Sequence, residues 1–186
     1  MPPKVKVTKK EIINAALEIV RQQGMDALNA RTVATRLQCS TQPVFSNFSG
    51  MEQLRDAVVD AAEVLFQDML KEEVENGEYP PYKASGMAYI RFAKEEKELF
   101  RLLYMRSRTA ETIPEETDLG NQMAQIVNRN TGLEENEAKL FHLEMWAFVH
   151  GIAAMMATDY LNLDWELVSR MLTDAYQGLR KRFGKE

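Results

Sequence analysis

The feature that most constrains this chain is a cluster of three short helix signals packed around a turn within its first fifty residues. Thr8-x-x-Glu11 predicts a capping box, in which side chains satisfy two otherwise free backbone donors at a helix start. Ile12, Ile13, Ala16, Leu17 and Val20 then recur at helical spacing, so one face is apolar, and Gly24 stands where a C-terminal cap is expected. A second helix is predicted from Asn29 to about Arg36, with Val33, Ala34 and Leu37 facing inward. After the break Gln38-Cys39-Ser40, a third begins in Thr41-Gln42-Pro43-Val44-Phe45-Ser46-Asn47-Phe48. Two short helices joined by so tight a turn form a helix-turn-helix, whose second member is shaped to enter the DNA major groove.

Nothing after Phe48 reads as a strand, and the fold class expected is all-α. Ser49-x-x-Glu52 predicts a second capping box, opening a helix of about 25 residues through Leu54, Val58, Ala61, Leu65 and Met69 to near Asn76-Gly77. Pro80-Pro81 forces a break. Helical patterns resume at Tyr82–Lys94 and Glu95–Met105, and a loop, Arg106–Pro114, separates them from Glu115–Asn130. Two further helices, about Glu134–Tyr160 and Asp164–Phe183, close the chain. The expected division is a helix-turn-helix domain over 1–50 and a helical ligand-binding and dimerisation domain over 51–186.

Composition narrows the class. With 45% hydrophobic and 27% charged residues, the 186-residue chain reads as a soluble globular protein with a full core. The longest apolar run, Met145–Ala157, contains His150 and is shorter than the ~18 residues of a membrane span. Lys4, Lys6, Lys9 and Lys10 are followed by no apolar stretch of the kind a signal peptide carries, and one cysteine builds no disulfide framework; both point to the cytoplasm, with no membrane partner. The net charge of −5 is unevenly spread: through Phe48 there are seven Lys or Arg and three Asp or Glu, a balance of +4 that leaves −9 for the rest. A basic headpiece on an acidic body is the footprint of a protein that meets phosphates with one end. The other reading of the lysine-rich arm is a solubilising tail.

The segment Ala27–Val33-Ala34 through Cys39-Ser40-Thr41-Gln42-Pro43-Val44-Phe45-Ser46-Asn47-Phe48-Ser49-Gly50-Met51-Glu52-Gln53-Leu54 resembles the TetR family of transcriptional regulators. The spacing of Gly24, Val33-Ala34, Ser40, Val44-Phe45, Phe48 and Glu52–Leu54 carries the resemblance over roughly the first third of the chain. The remaining length and its helical pattern also suit the family. The resemblance implies a homodimer that binds a palindromic double-stranded operator and is released by a small apolar or amphipathic effector in the C-terminal body, with no cofactor. It also implies dimerisation through the last two helices. There, Val168, Met171, Leu172, Ala175, Leu179 and Phe183 form an apolar stripe, and Gly151, Ala153, Ala154 and Ala157 permit close helix approach. The same stripes could instead fill the subunit's own core.

Gln42, in the first turn of the third helix, is the expected base reader, since its amide can pair bidentately with adenine. Thr41 and Ser46 can approach from the same face, with Asn47 beside them, whereas Val44 and Phe48 are expected in the core. Thr8, Lys10, Asn29 and Ser40 are expected at phosphates, where contacts position without specifying sequence. Arg31 matches a place where the family often carries an arginine that reaches DNA. Two departures stand out: Phe45 occupies a place often held by Tyr, and Met51 one often held by Lys. With that hydroxyl and that charge missing, affinity is expected to lean on the lysine-rich arm and to show a gentler salt dependence.

The resemblance places an effector pocket in the body, for which Phe66, Tyr89, Phe92, Leu103, Tyr104, Met123, Ile126, Val127, Trp146, His150 and Met155 are the candidate lining. Eleven methionines suit a surface that adapts to varied apolar shapes, although Met and aromatic residues at helical spacing are also ordinary core. His142, Trp146 and His150 fall four apart and share a helix face. Two histidines two turns apart, ~12 Å at the α-helical rise, do not clamp one metal ion unaided. Cys39, in the turn, has no basic neighbour to lower its pKa and is expected to be buried packing.

No Gly-rich phosphate loop, G-x-S-x-G elbow or metal-ligand cluster points to an enzyme. The alternative to a ligand-released repressor is an all-helical protein–protein adaptor whose helix-turn-helix has lost DNA binding.

Overall fold

The structure, a computed structural model, describes residues 7–105 and 118–184, and every regular element among them is helical. The chain divides into two compact units, the first taking in the described residues of Met1–Gln67 and Glu96–Arg106, the second those of Asp68–Glu95 and Ser107–Glu186. The lysines Lys4 and Lys6, the loop Arg106–Pro114 and the expected helix start at Glu115 lie outside the described residues.

The first unit opens with α1 (Lys9–Gln23), and its capping box forms as the sequence predicts. The Glu11 amide donates to Thr8 Oγ1 at 3.2 Å, and the Thr8 amide donates to Glu11 Oε2 at 2.8 Å. That backbone bond, followed by one from the Thr8 hydroxyl, holds the Glu11 carboxyl below the usual carboxylate range. Gly24 ends the helix at φ +79°, where a side chain would be strained, and donates to the Val20 carbonyl at 2.8 Å. A single 3₁₀ turn, Met25–Ala27, which the sequence reading does not anticipate, leads into α2 (Ala30–Arg36). Asn29 caps α2 by accepting from the amides of Arg31 and Thr32 at 3.0 and 3.1 Å.

The turn that follows places Gln38 at φ +52° and bonds the Cys39 amide to the Ala34 carbonyl, bringing the chain to α3 (Gln42–Asn47). Pro43 sits in the first turn of α3, where a missing N–H breaks no helical bond. Val44 and Phe48 pack into a core with Ile12, Ala16, Val20, Leu28 and Val33. Cys39 is half-buried rather than enclosed, because its turn lies at the surface.

α4 (Met51–Asn76) has the length the sequence predicts, but its start differs. The Ser49 amide donates to Gln53 Oε1 at 2.8 Å, while Glu52 pairs with Arg55. The helix starts at Met51, so its third residue is Gln53, and that side chain is the one that reaches back. The buried row is Leu54, Val58, Ala62, Phe66 and Leu70, one residue on from Ala61, Leu65 and Met69, which are half-buried. α6 (Lys97–Tyr104) completes this unit, burying Leu99, Phe100 and Leu103.

The second unit is built on α5 (Pro81–Glu95), α7 (Asp118–Thr131), α8 (Glu135–Ala157) and α9 (Trp165–Phe183). α5 packs on α8 and α9 at Gly86, where an added Cβ would lie 2.8 Å from Leu172 Cδ2 and 3.5 Å from Val149 Cγ2. Phe141 is fully buried between the rings of Tyr176 and Phe183, at centroid distances of 5.3 and 5.7 Å. α8 stops at Ala157 rather than Tyr160, since Asp159 takes φ +56°. Asp164 then caps α9 through the Leu167 amide at 2.8 Å.

At 23 residues α8 is, by length and composition, apolar enough to cross a membrane, which corrects the expectation that no segment reaches that length. Its Glu144 binds Arg182 of α9, and both its histidines bond tyrosines of α5, so it packs as a helix of this unit.

Candidate functional site

The helix-turn-helix presents a surface and not a cavity. On it, Lys10, Arg31, Ser40, Gln42 and Ser46 are exposed and Thr41 is half-buried. Thr8 and Asn29 are also exposed, yet both side chains are engaged as caps. Ser46 Oγ donates to the Gln42 carbonyl at 2.7 Å and Asn47 Nδ2 donates to the Pro43 carbonyl at 2.8 Å, so both turn back on α3. Val44 and Phe48 are buried as expected and hold the helix from beneath.

The headpiece cations divide into two groups. Arg21 and Arg36 flank Glu18, Arg36 at 3.7 Å and Arg21 at 3.2 Å, and Arg36 also reaches the Gln22 amide oxygen at 3.4 Å. Arg21 further clamps the carboxylate of Glu96, which is only 5% exposed, with its Nε donating at 2.6 Å. Glu96, first among the causes, holds the Arg21 pKa above its ordinary value. Lys9 lies 5.1 Å over the Phe48 ring and ties the start of α1 to the end of α3. Lys10 and Arg31 make no such contact among the described residues and are exposed.

The expected effector-pocket residues fall in both units. Phe66, Leu103 and Tyr104 belong to the first, where Phe66 meets Tyr104 edge-on at 5.7 Å. Tyr89, Phe92, Met123, Ile126, Val127, Trp146, His150 and Met155 belong to the second. Phe92, Leu103 and Val127 are essentially inaccessible, as ordinary core would be. An opening of about 220 Å³ in the first unit is lined by Gln23, Gly24, Met25, Asp26, Glu98, Arg101 and Leu102, none of them an expected pocket residue.

Polar chemistry in the second unit centres on two rungs between α5 and α8. The Tyr82 hydroxyl lies 3.0 Å from His142 Nδ1, and the Tyr89 hydroxyl 2.9 Å from His150 Nδ1. Burial pushes the Tyr82 phenol pKa up, so it keeps its proton. Burial also pushes the His150 pKa down, favouring a neutral imidazole whose Nδ1 can accept from Tyr89. Trp146 stacks on His150 with centroids 5.0 Å apart. The shared face of His142, Trp146 and His150 is legible in the sequence; the tyrosines are not, although Tyr82 and Tyr89 stand seven apart, matching histidines eight apart.

A second feature missed in the sequence is Glu73, 5% exposed, whose Oε2 lies 3.3 Å from Arg91. Its Oε1 and the Arg91 Nε are buried with no hydrogen-bond partner. Arg91 and Lys94 both stand over the Trp165 ring, at 5.4 and 5.0 Å. The sequence signal for Glu73 is its phase, three residues past Leu70 in the buried row of α4.

A family model described as tetracyclin repressor-like, C-terminal domain, matches residues 82–175, just over half of the chain. No curated protein matches. Among solved structures, a protein of unknown function from Rhodococcus sp. RHA1 superposes with a TM-score of 0.69 at 20% identity, covering 98% of both chains. The multidrug binding protein EbrR complexed with imidazole gives 0.56 at 18% identity, covering 90% of this chain and 88% of that one. A TetR variant from Acinetobacter baumannii AYE in complex with minocycline gives 0.54 at 20% identity, covering 97% and 100%. At these identities the likeness is one of fold.

Proposed function

We infer that this chain, which belongs to the tetracycline-repressor-like family of transcriptional regulators, works as a homodimeric repressor that leaves a palindromic operator when an effector enters its helical body. The observation that carries the DNA-binding half is α3 itself. Val44 within it and Phe48 at its C-terminal cap are buried and anchor it in the headpiece, while Gln42 is exposed, as are the cations Lys10 and Arg31 of the same unit. In that arrangement Gln42 reads a base, while Lys10, Arg31, Ser40 and Thr41 set the register on phosphates. Thr8, Asn29, Ser46 and Asn47 serve mainly to fix the helices that carry these groups.

Dimerisation is supported by the outward side of α8, where Leu140 and Phe148 are 44% and 38% exposed and a Cβ added at Gly151 would meet nothing within 4 Å. Exposed apolar side chains beside a small residue suit close approach of a second copy about a two-fold axis. The effector reading rests on the family and on the Tyr89–His150–Trp146 group, which offers a hydrogen-bonding handle among apolar walls. Such a ligand acts only through its different affinities for the DNA-bound and DNA-free conformations.

The test is footprinting of the full chain on the intergenic DNA upstream of its own gene and on a genomic fragment selection, with Gln42→Ala alongside. A protected palindrome that is lost with Gln42→Ala supports the reading. Absence of any protected or enriched fragment at low salt, together with flow-through on heparin, overturns it in favour of an adaptor.

A further inference from the structure

We propose that Phe45 reads a thymine through its 5-methyl group, forming with Gln42 a two-residue base-reading pair. This rests on the regulator reading and deepens it by naming a base that the operator must carry.

The side chains of α3 sort into three sets. Val44 is fully buried and Pro43 half-buried. Ser46 and Asn47 spend their polar groups on carbonyls of their own helix. The two side chains left pointing outward without such a bond are Gln42 and Phe45, three residues apart and therefore on one face. Phe45 is 57% exposed, and the next most exposed of the eight phenylalanines is Phe148 at 38%. A phenyl ring held in water on the outer face of α3 is an unmet apolar surface.

The chemistry of the ring selects its contact. It has no hydrogen-bonding atom, so it cannot bind a phosphate oxygen as a hydroxyl would. In the major groove the distinctive apolar group on a base edge is the thymine C5-methyl, whereas the other bases present donors and acceptors there. A ring laid against that methyl removes apolar surface of both partners from water. Gln42, one turn away, has the amide that matches adenine N6 and N7. The pair therefore specifies an adenine and a nearby thymine in each half-site, one by hydrogen bonds and the other by shape and apolarity.

The experiment uses the full chain and a pool of random-sequence duplexes. The enriched duplex is resynthesised with each thymidine of one half-site replaced in turn by deoxyuridine, which deletes only the methyl group. One position is expected at which this change weakens binding about three- to tenfold, the scale of burying one methyl group. Phe45→Ala should weaken binding to the parent duplex by a similar factor and abolish the deoxyuridine effect, while Phe45→Leu should retain part of it. Because the ring is exposed, both variants should melt like the parent protein, and circular dichroism checks this. An enriched operator with no deoxyuridine-sensitive position, or a sensitivity that survives Phe45→Ala, overturns this inference and leaves the regulator reading standing. A pool that yields no enriched sequence overturns both.

Discussion

Among the described residues, each unit buries one glutamate against one arginine, and the two pairs are built differently. In the first unit Glu96 receives two guanidinium donors from Arg21, so both carboxylate oxygens are matched across α1 and α6. In the second, Glu73 meets Arg91 through one oxygen only, leaving Glu73 Oε1 and Arg91 Nε both unmatched. A buried charge that is fully bonded offsets its desolvation, whereas a half-bonded one carries an outstanding penalty. The first pair therefore works as a clamp within the headpiece unit. The second is a weak point in its unit, softened by the stacking of Arg91 on Trp165.

The strongest way to break this comparison is Arg21→Ala. It strands the Glu96 carboxylate and should cost about 2–3 kcal/mol, less than a fully buried pair because Arg21 is itself 45% exposed. Both tryptophans, Trp146 and Trp165, lie in the second unit, so their fluorescence follows that unit while circular dichroism follows both. A denaturant midpoint that shifts by dichroism alone would localise the clamp to the headpiece unit. Equal shifts by both probes would mean that the units unfold together.

Thr8→Ala is the next largest, removing the α1 cap at a cost of about 1 kcal/mol; the same pair of probes reads it, and no change would show that the cap is dispensable.

His150 sharpens the contrast by pH. Burial lowers its folded pKa below the ordinary value of about 6.5. The unfolded chain then binds the proton more readily, so this contribution to stability is present above the ordinary histidine pKa and is lost as pH falls through it toward the folded value. The melting temperature should fall between pH 7.5 and 5 more for the parent protein than for His150→Gln. Equal slopes would remove His150 from the account.

Glu73→Gln is expected to have the smallest effect, within about 1 kcal/mol of zero, because neutralising a half-bonded carboxylate relieves desolvation as it weakens the pair. A loss as large as that of Arg21→Ala would erase the difference between the two pairs.

Much of the fold is legible in the sequence because its signals are local. Thr8 with Glu11, Gly24, Asn29 and Asp164 each act within a few residues, and the helices they bound appear where spacing places them. Ser49 shows how narrow that rule is, since a start displaced by one residue transfers its bond from Glu52 to Gln53. The polar pairs are not legible, because their partners are joined only by tertiary packing: Arg21 with Glu96 across 75 residues, Tyr82 with His142 across 60, and Tyr89 with His150 across 61. Phe45 illustrates another limit: its exposure depends on how α3 rests on its two anchors, and residue type alone would put a phenylalanine inside. The resemblance is carried by the first third of the sequence, yet the family match falls on residues 82–175, where helical patterning by itself is least distinctive.

Cys39 is the one sulfhydryl in 186 residues, half-buried in the turn that leads into α3. Oxidation can therefore form no disulfide within this sequence; a disulfide at Cys39 needs a second chain or a small thiol. A thiol-reactive dye added to the natural sequence reports from a single address, two residues ahead of Thr41, so the proposed docking of α3 on a DNA duplex can be tested optically without altering any other side chain.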